Sequence, residues 1–215
     1  MLGFFSFTEV TDPAGHGAYN RWHQFDHLPE QFSLSGITFG QRWVASPVCR
    51  AARVAVSPLL QPCHYMTLYL MHGPEVLMDF FALASRLREE DRFFADRVAH
   101  LSGPFDVRDR WAATRVKVSA PAIAHRPANG IYVLVGPPID GPWLVGQEGV
   151  AGVWAFVDQV SLRHITVAFV DGDLMTVAGA LGPQVLELGL PMEWAGPLEE
   201  IDPKRHDWFD RLTPR

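Results

Sequence analysis

The apolar patterning of this chain passes through the same order of elements twice, and that recurrence limits the fold more than any single residue does. Alternation at Phe5, Phe7 and Glu9, ended by Thr11-Asp12-Pro13, predicts a first strand. Residues 18–32 predict a helix, because Trp22, Phe25, Pro29 and Phe32 recur at helical spacing and would cover one side, with Gly36 closing it. Residues 37–45 read as a second strand, 46–62 as a Pro- and Ala-rich excursion, and 64–72 as a third strand. Gly73-Pro74 opens the next helix, with Val76, Phe80, Leu83 and Leu87 as its buried stripe. Residues 93–107 read as short helix and loop, and 110–118 as a fourth strand.

The order then returns. Residues 130–135, 150–157, 164–170 and 192–198 predict strands, and Asp173 caps a helix over 174–188 that is apolar nearly all round. The position of the first helix is taken by a Gly-rich segment, 140–149, too short for a full helix. The expected fold class is therefore α+β: two tandem ferredoxin-like β-α-β-β-α-β units, residues 1–120 and 130–215, joined by a Pro-containing linker at 121–129. Each unit is an antiparallel sheet with helices on one face, so the other face needs cover. Packing the two sheets together as an α/β barrel supplies it. With 215 residues and 48% hydrophobic content, the chain can bury such a core.

Charge and motifs exclude several function classes. Against 24 acidic residues stand 18 basic ones, and the resulting net charge of -6 argues against a surface that neutralises nucleic acid. No apolar run reaches the roughly 18 residues needed to span a bilayer, so no membrane partner is expected. The start of the chain reads as a strand rather than a signal peptide, and Cys49 and Cys63 do not make a disulfide framework, so the expected compartment is the cytoplasm. No dinucleotide fingerprint, phosphate loop or nucleophile elbow is present. A metal is not expected either: His23-x-x-x-His27 has metalloprotease spacing but Gln24 where the glutamate would stand. Haem stays open, since one histidine suffices as axial ligand and spacing would not reveal it.

The residues best placed for chemistry are His23 and His27, four apart and so on one side of a helix. Imidazole suits general acid–base work near neutral pH. On this reading His27 is the base or acid, with His23 and Tyr19 holding an oxygenated substrate. The alternative is plain. On a helical wheel His23, His27 and Glu30 fall opposite the stripe of Trp22, Phe25, Pro29 and Phe32, as a solvated face would, although Pro29 disturbs the count. Tyr65 and Tyr69 share one face of the third strand, while Arg42 and Trp43 point to opposite sides of the second. Arg42 has the geometry to pair with a carboxylate or phenolate, and Trp22 and Trp43 are the tryptophans expected to touch a flat ligand.

The segment Tyr19-Asn20-Arg21-Trp22-His23-Gln24-Phe25-Asp26-His27-Leu28-Pro29-Glu30, followed by Gly36 and then Gln41-Arg42-Trp43, resembles the dimeric α/β-barrel superfamily. More narrowly it is similar to the EthD-like members, in Asp26-His27-Leu28-Pro29 and Arg42-Trp43. The resemblance implies a pocket between the sheet and its helices, with the motif histidine beside it. It also implies a small-molecule protein, such as a cofactor-free monooxygenase, cyclase or isomerase for an aromatic or lactone substrate. The other readings are a non-catalytic ligand-binding or stress-associated protein, and a structural repeat whose 174–188 helix mediates self-association. A homodimer is compatible with the resemblance, although a fused pair can satisfy that interface within one chain. The second half has no counterpart of Asp-His-x-Pro, so a full set of polar groups is expected in the first unit alone.

Overall fold

The computed structural model describes residues 1–202 and 208–209; the last part of the second unit, 203–207 and 210–215, lies outside the described residues. In the first unit, strand β1 (Leu2–Val10) leads into helix α1 (His16–Trp22), a π-helical stretch (His23–His27) and α2 (Leu28–Phe32), which run on as one helix. Strand β2 (Ile37–Val44), the short helix α3 (Pro47–Ala51), the two-residue strand β3 (Ala55–Val56), β4 (Tyr65–Met71), α4 (Val76–Glu89) and β5 (Arg97–Ala112) follow. A 3-10 turn (Ala120–His125) leads to the second unit: β6 (Gly130–Gly136), α5 (Gly141–Val145), β7 (Val150–Val157), β8 (His164–Val170), α6 (Leu174–Glu187) and β9 (Trp194–Glu200).

Among the described residues the strands form one sheet in the order β2-β4-β1-β5-β7-β8-β6-β9, which β2–β9 pairing closes into a ring, with β3 added to β9. Each half keeps the ferredoxin-like order, and every pairing is antiparallel. The two sheets thus join at both edges, through Asp106–Ala112 against Gly152–Val157 and through Trp43 and Val44 against Glu200 and Glu199. Closure removes the free edges that an open sheet would leave. The inward side chains of both halves fill one core: Phe5, Phe7, Met66, Leu68 and Trp43 from the first half meet Ile131, Val133, Trp154, Phe156, Val167 and Trp194 from the second. Residues 120–125 add Ile123 and Ala124 to this core, so the connection between units plugs the barrel.

Two expectations fail along β5. Residues 93–107 are not short helix and loop, because Arg97 begins a sixteen-residue strand, and 113–118 are not strand, because that element ends at Ala112. Opposite Phe7 and Thr8 the register passes from Leu101 to Ala99, so His100 is bulged out and the alternation changes phase within the segment. Gly103 and Pro104 interrupt it again. The helix over 174–188 turns most of its apolar residues inward: Val177 and Leu181 are buried in the monomer, together with Leu174, Ala178 and Val185, while Leu186 and Leu188 are exposed at its C-terminal end. A self-association surface built on Val177 and Leu181 is therefore ruled out.

Gly3, on the inner face of β1, is one place where the halves meet closely: a Cβ there would stand 2.6 Å from a ring carbon of Phe156. Gly3→Ala is expected to destabilise the fold by about 1–3 kcal/mol, as overpacking does. Urea unfolding measures this, and an unchanged midpoint would mean that the Phe156 ring is not held against β1.

Candidate active site beneath the first helix

The helix from His16 to Phe32 buries its polar side. His16, Tyr19, Asn20, His23, His27, Leu28 and Gln31 face the sheet, whereas Phe25 is 59% and Phe32 48% exposed. The wheel separates these two faces correctly, but the expectation that Phe25, Pro29 and Phe32 form the covered side is overturned. Pro29 has no N–H to give to the carbonyl of residue 25 and its ring crowds that carbonyl. The backbone answers with a wider turn, in which the Leu28 N–H donates to the His23 carbonyl, five residues back.

Below this face lies a partly open cavity of about 130 Å³. Its floor is the outer face of the first sheet, with Phe4, Ser6, Thr67, Tyr69 and Ser102; His23, His27 and Gln31 come from the helix, Phe80, Phe81 and Arg88 from α4, and Phe93 and Arg97 from the rim before and at the start of β5. The His23 and His27 rings meet edge to face at 4.9 Å. Neither Nδ1 has a hydrogen-bond partner, nor do the Tyr69 hydroxyl, Gln31 Oε1 and Arg97 Nε, although all five atoms are buried. Unpaired buried polar atoms are costly, and a cluster of them around one cavity marks where a bound molecule would complete the bonding.

Burial, and then the positive charges of Arg97, Arg42 and Arg88, push His27 down to about 3. His23 is lowered well below its ordinary value by burial first and Arg42 next. Both are therefore neutral imidazoles at pH 7. Burial lowers the Arg42 guanidinium and raises the Tyr69 phenol, but arginine keeps its charge.

The remaining expected site residues take other positions. Arg42 is 1% exposed and stands behind the histidines: its Nη2 donates to Asn20 Oδ1 at 2.9 Å, and its guanidinium lies over the Tyr19 and Tyr65 rings. Asn20 in turn donates to the Tyr65 hydroxyl at 2.8 Å, which His16 Nδ1 meets at 2.9 Å. Tyr19 is fully buried against His23, Tyr65 and Phe94, as backing rather than lining. Trp22 stacks on the His27 ring at 4.6 Å from the outside and donates its indole N–H to the Arg92 carbonyl. Trp43 is not brought to this site at all, because β2 turns it into the barrel core. Arg88, Phe93 and Arg97 were not foreseen; the last two fell in the segment whose alternation the His100 bulge hides.

The matching layer of the second unit is packed with apolar side chains. There Tyr132, Leu134, Leu144, Val153, Ala168, Leu174, Val177, Leu181 and Val185 pack together. The cavity beside the histidines is too small for the haem that the sequence left open: about 130 Å³ is the room of roughly four waters, far less than a tetrapyrrole needs. Among the described residues no group of three or more His, Cys, Asp or Glu side chains converges as a metal site, and no helix is long and apolar enough to cross a membrane.

No protein-family model matches the chain, and no curated protein sequence matches it. Solved structures do. A provisionally assigned chlorite dismutase aligns over 99% of this chain and 98% of its own, with a TM-score of 0.56 and 8% identity. A provisionally assigned monooxygenase of Fusobacterium nucleatum subsp. nucleatum aligns over 94% of this chain and 92% of its own, with a TM-score of 0.54 and 8% identity. At that identity the likeness shows the fold alone: an α/β barrel closed by two ferredoxin-like units in one polypeptide.

The neutral state of His27 has a consequence for stability. Its value in the unfolded chain is near 6.5 and in the fold about 3, so between those limits the unfolded state binds more protons and stability falls as the pH falls. Replacing His27 by Gln is expected to remove up to about 1.4 kcal/mol per pH unit from that slope. Denaturant unfolding of both proteins between pH 4 and pH 7 measures it (about the span of the shift); equal slopes would mean that His27 is not buried as a neutral ring.

Proposed function

We propose that this chain is an EthD-like small-molecule protein acting without a redox cofactor, as a monooxygenase, cyclase or isomerase for an aromatic or lactone substrate. The observation that carries this reading is the pair of neutral, inward-turned imidazoles with unpaired Nδ1 atoms on one cavity. His27 takes a proton from an acidic C–H or O–H of the substrate, leaving an enolate or phenolate. That anion forms in the field of Arg97, Arg42 and Arg88, the arrangement that stabilises developing negative charge. The same anion offsets the arginines and raises the imidazole's proton affinity as the transfer proceeds. Returning the proton at another carbon isomerises the substrate. In an oxygenation, the carbanion reacts with dioxygen, one oxygen atom entering a new C=O and the other leaving as water with the two hydrogens of the CH2.

His23 helps to hold the oxygenated group and Tyr69 donates to it, while Trp22 and Tyr19 keep the two imidazoles in place. Both cysteines are free and buried, which suits a reducing, cytoplasmic setting. The barrel closes within one chain, so a homodimer is not needed to complete it.

A second reading, a non-catalytic binder, is favoured by one observation: an imidazole at about 3 is a weak base in the empty cavity. Proton exchange separates the two. Enolisable aromatic ketones and lactones are incubated with the protein in deuterated buffer, and loss of the acidic C–H signal is followed by NMR. The wild type is expected to catalyse exchange and His27→Gln to lose about 10²–10⁴-fold of the rate. Wild-type exchange no faster than that of the variant, with the ligand still bound, would leave the protein a binder.

A further inference from the structure

The cavity is walled by cations that have no acid to answer them. Arg88 and Arg97 line it and Arg42 stands behind it, while no Asp or Glu is among its lining residues. The neighbouring carboxylates are engaged elsewhere: Glu30 and Glu90 pair with Arg92 on the outside of the molecule. Among the described residues neither Arg42, Arg88 nor Arg97 makes an ion pair with a carboxylate. Arg42 leans on Tyr19 and Tyr65, and Arg88 and Arg97 both lie over the Phe93 ring, at 4.5 and 4.3 Å. Ring faces are weak substitutes for a counter-anion. A buried guanidinium at Arg42, a half-buried one at Arg97, an exposed one at Arg88 and two uncharged imidazoles around one cavity form a site short of one negative charge.

We infer that the ligand of this cavity is a planar ring carrying a single anionic oxygen group, held with the ring between Phe4, Phe80 and Phe93 and the anion toward Arg97 and Tyr69. The inference deepens the proposed function, since it names the charge state that the same site selects. The space suits it: about 130 Å³ is near the roughly 150 Å³ that accepts one benzene ring, and a fused polycycle would need movement of Arg88 or Phe81 at the mouth. An anion there uses the Tyr69 O–H and the Arg97 Nε–H, both of which lack partners. It also relieves the arginine repulsion that adds to burial in lowering the proton affinity of His27.

Benzoate and benzamide share a shape and differ in charge, and calorimetric titration of each into the full chain at pH 7 is the test. Benzoate is expected to bind at least about tenfold more tightly. Arg97→Gln is expected to erase that preference, and Arg88→Gln, an exposed position whose loss leaves the fold intact, to reduce it several-fold, with benzamide unaffected by either. Benzamide binding as tightly as benzoate would overturn the inference yet leave a ring-binding site beside the histidines, so the exchange assay on His27→Gln would still decide the proposed function. Failure of benzoate to bind at millimolar concentration, or undiminished benzoate preference in both arginine variants, would likewise overturn it.

Discussion

The hydrogen-bonded ladder along β5 is the constraint on which the rest of this structure depends. One half of the strand pairs with β1 and so belongs to the first unit; the other half pairs with β7 and fastens the second unit edge to edge. The bulge at His100 and the irregularity at Arg108 let a single strand follow both curvatures, since bulges increase local twist. Without that ladder the inner faces of both sheets, among them Phe5, Phe156 and Trp154, would be open to water. The same strand begins with Arg97 at the mouth of the cavity, so the element that closes the barrel also sets the charge of the site.

Closure frees the first helix from the task that an amphipathic helix usually performs. The barrel core is complete without it, because its filling comes from the two sheets and the 120–125 turn. The helix can therefore place imidazoles, an amide and a carboxamide against the sheet and leave Phe25 and Phe32 in water, an exchange that costs stability at both faces. Part of that cost is offset by the chain Arg42–Asn20–Tyr65–His16, in which each link is a hydrogen bond of 2.8 or 2.9 Å. Of the part that is not offset, the unpaired atoms of His23, His27, Gln31, Tyr69 and Arg97 are gathered around the cavity, with those of Tyr19 and Arg42 just behind it. Local departures from packing rules concentrated at one place are what a binding site looks like in energetic terms.

The fold was legible where period and packing agree. Val76, Phe80, Leu83 and Leu87 are the buried stripe of α4, and the Asp173 side chain accepts from the Thr176 N–H as a cap should. Strand parity put Tyr65 and Tyr69 on one face of the third strand, and the β2–β4 register brings Arg42 to that same face, on the His23 and His27 side. Legibility ended where a local irregularity broke the period. The His100 bulge concealed β5 and with it Arg97, and the proline at position 29 accompanies a π turn that no α-helical wheel represents. The apolar stripe rule itself misled at Phe25 and Phe32, because it assumes that a helix covers hydrophobic core. Parity said that Trp43 and Arg42 diverge, but only the closed sheet shows that Trp43's side is the barrel interior.

The two halves show how duplication divides the work. In the second unit α5 is a single turn held close to β5, where the Trp111 ring lies on Gly141 with no room for a Cβ, and the layer between sheet and α6 is packed with aliphatic side chains. A short helix brings no histidines, and an apolar layer leaves no charge to answer. That unit then supplies the edges to which β2 and β5 bind. Those two junctions hold in place the strands that carry Arg42 and Arg97, beside two uncharged imidazoles. The polar cavity persists because the barrel beneath it cannot open without breaking a ladder at one of its two junctions.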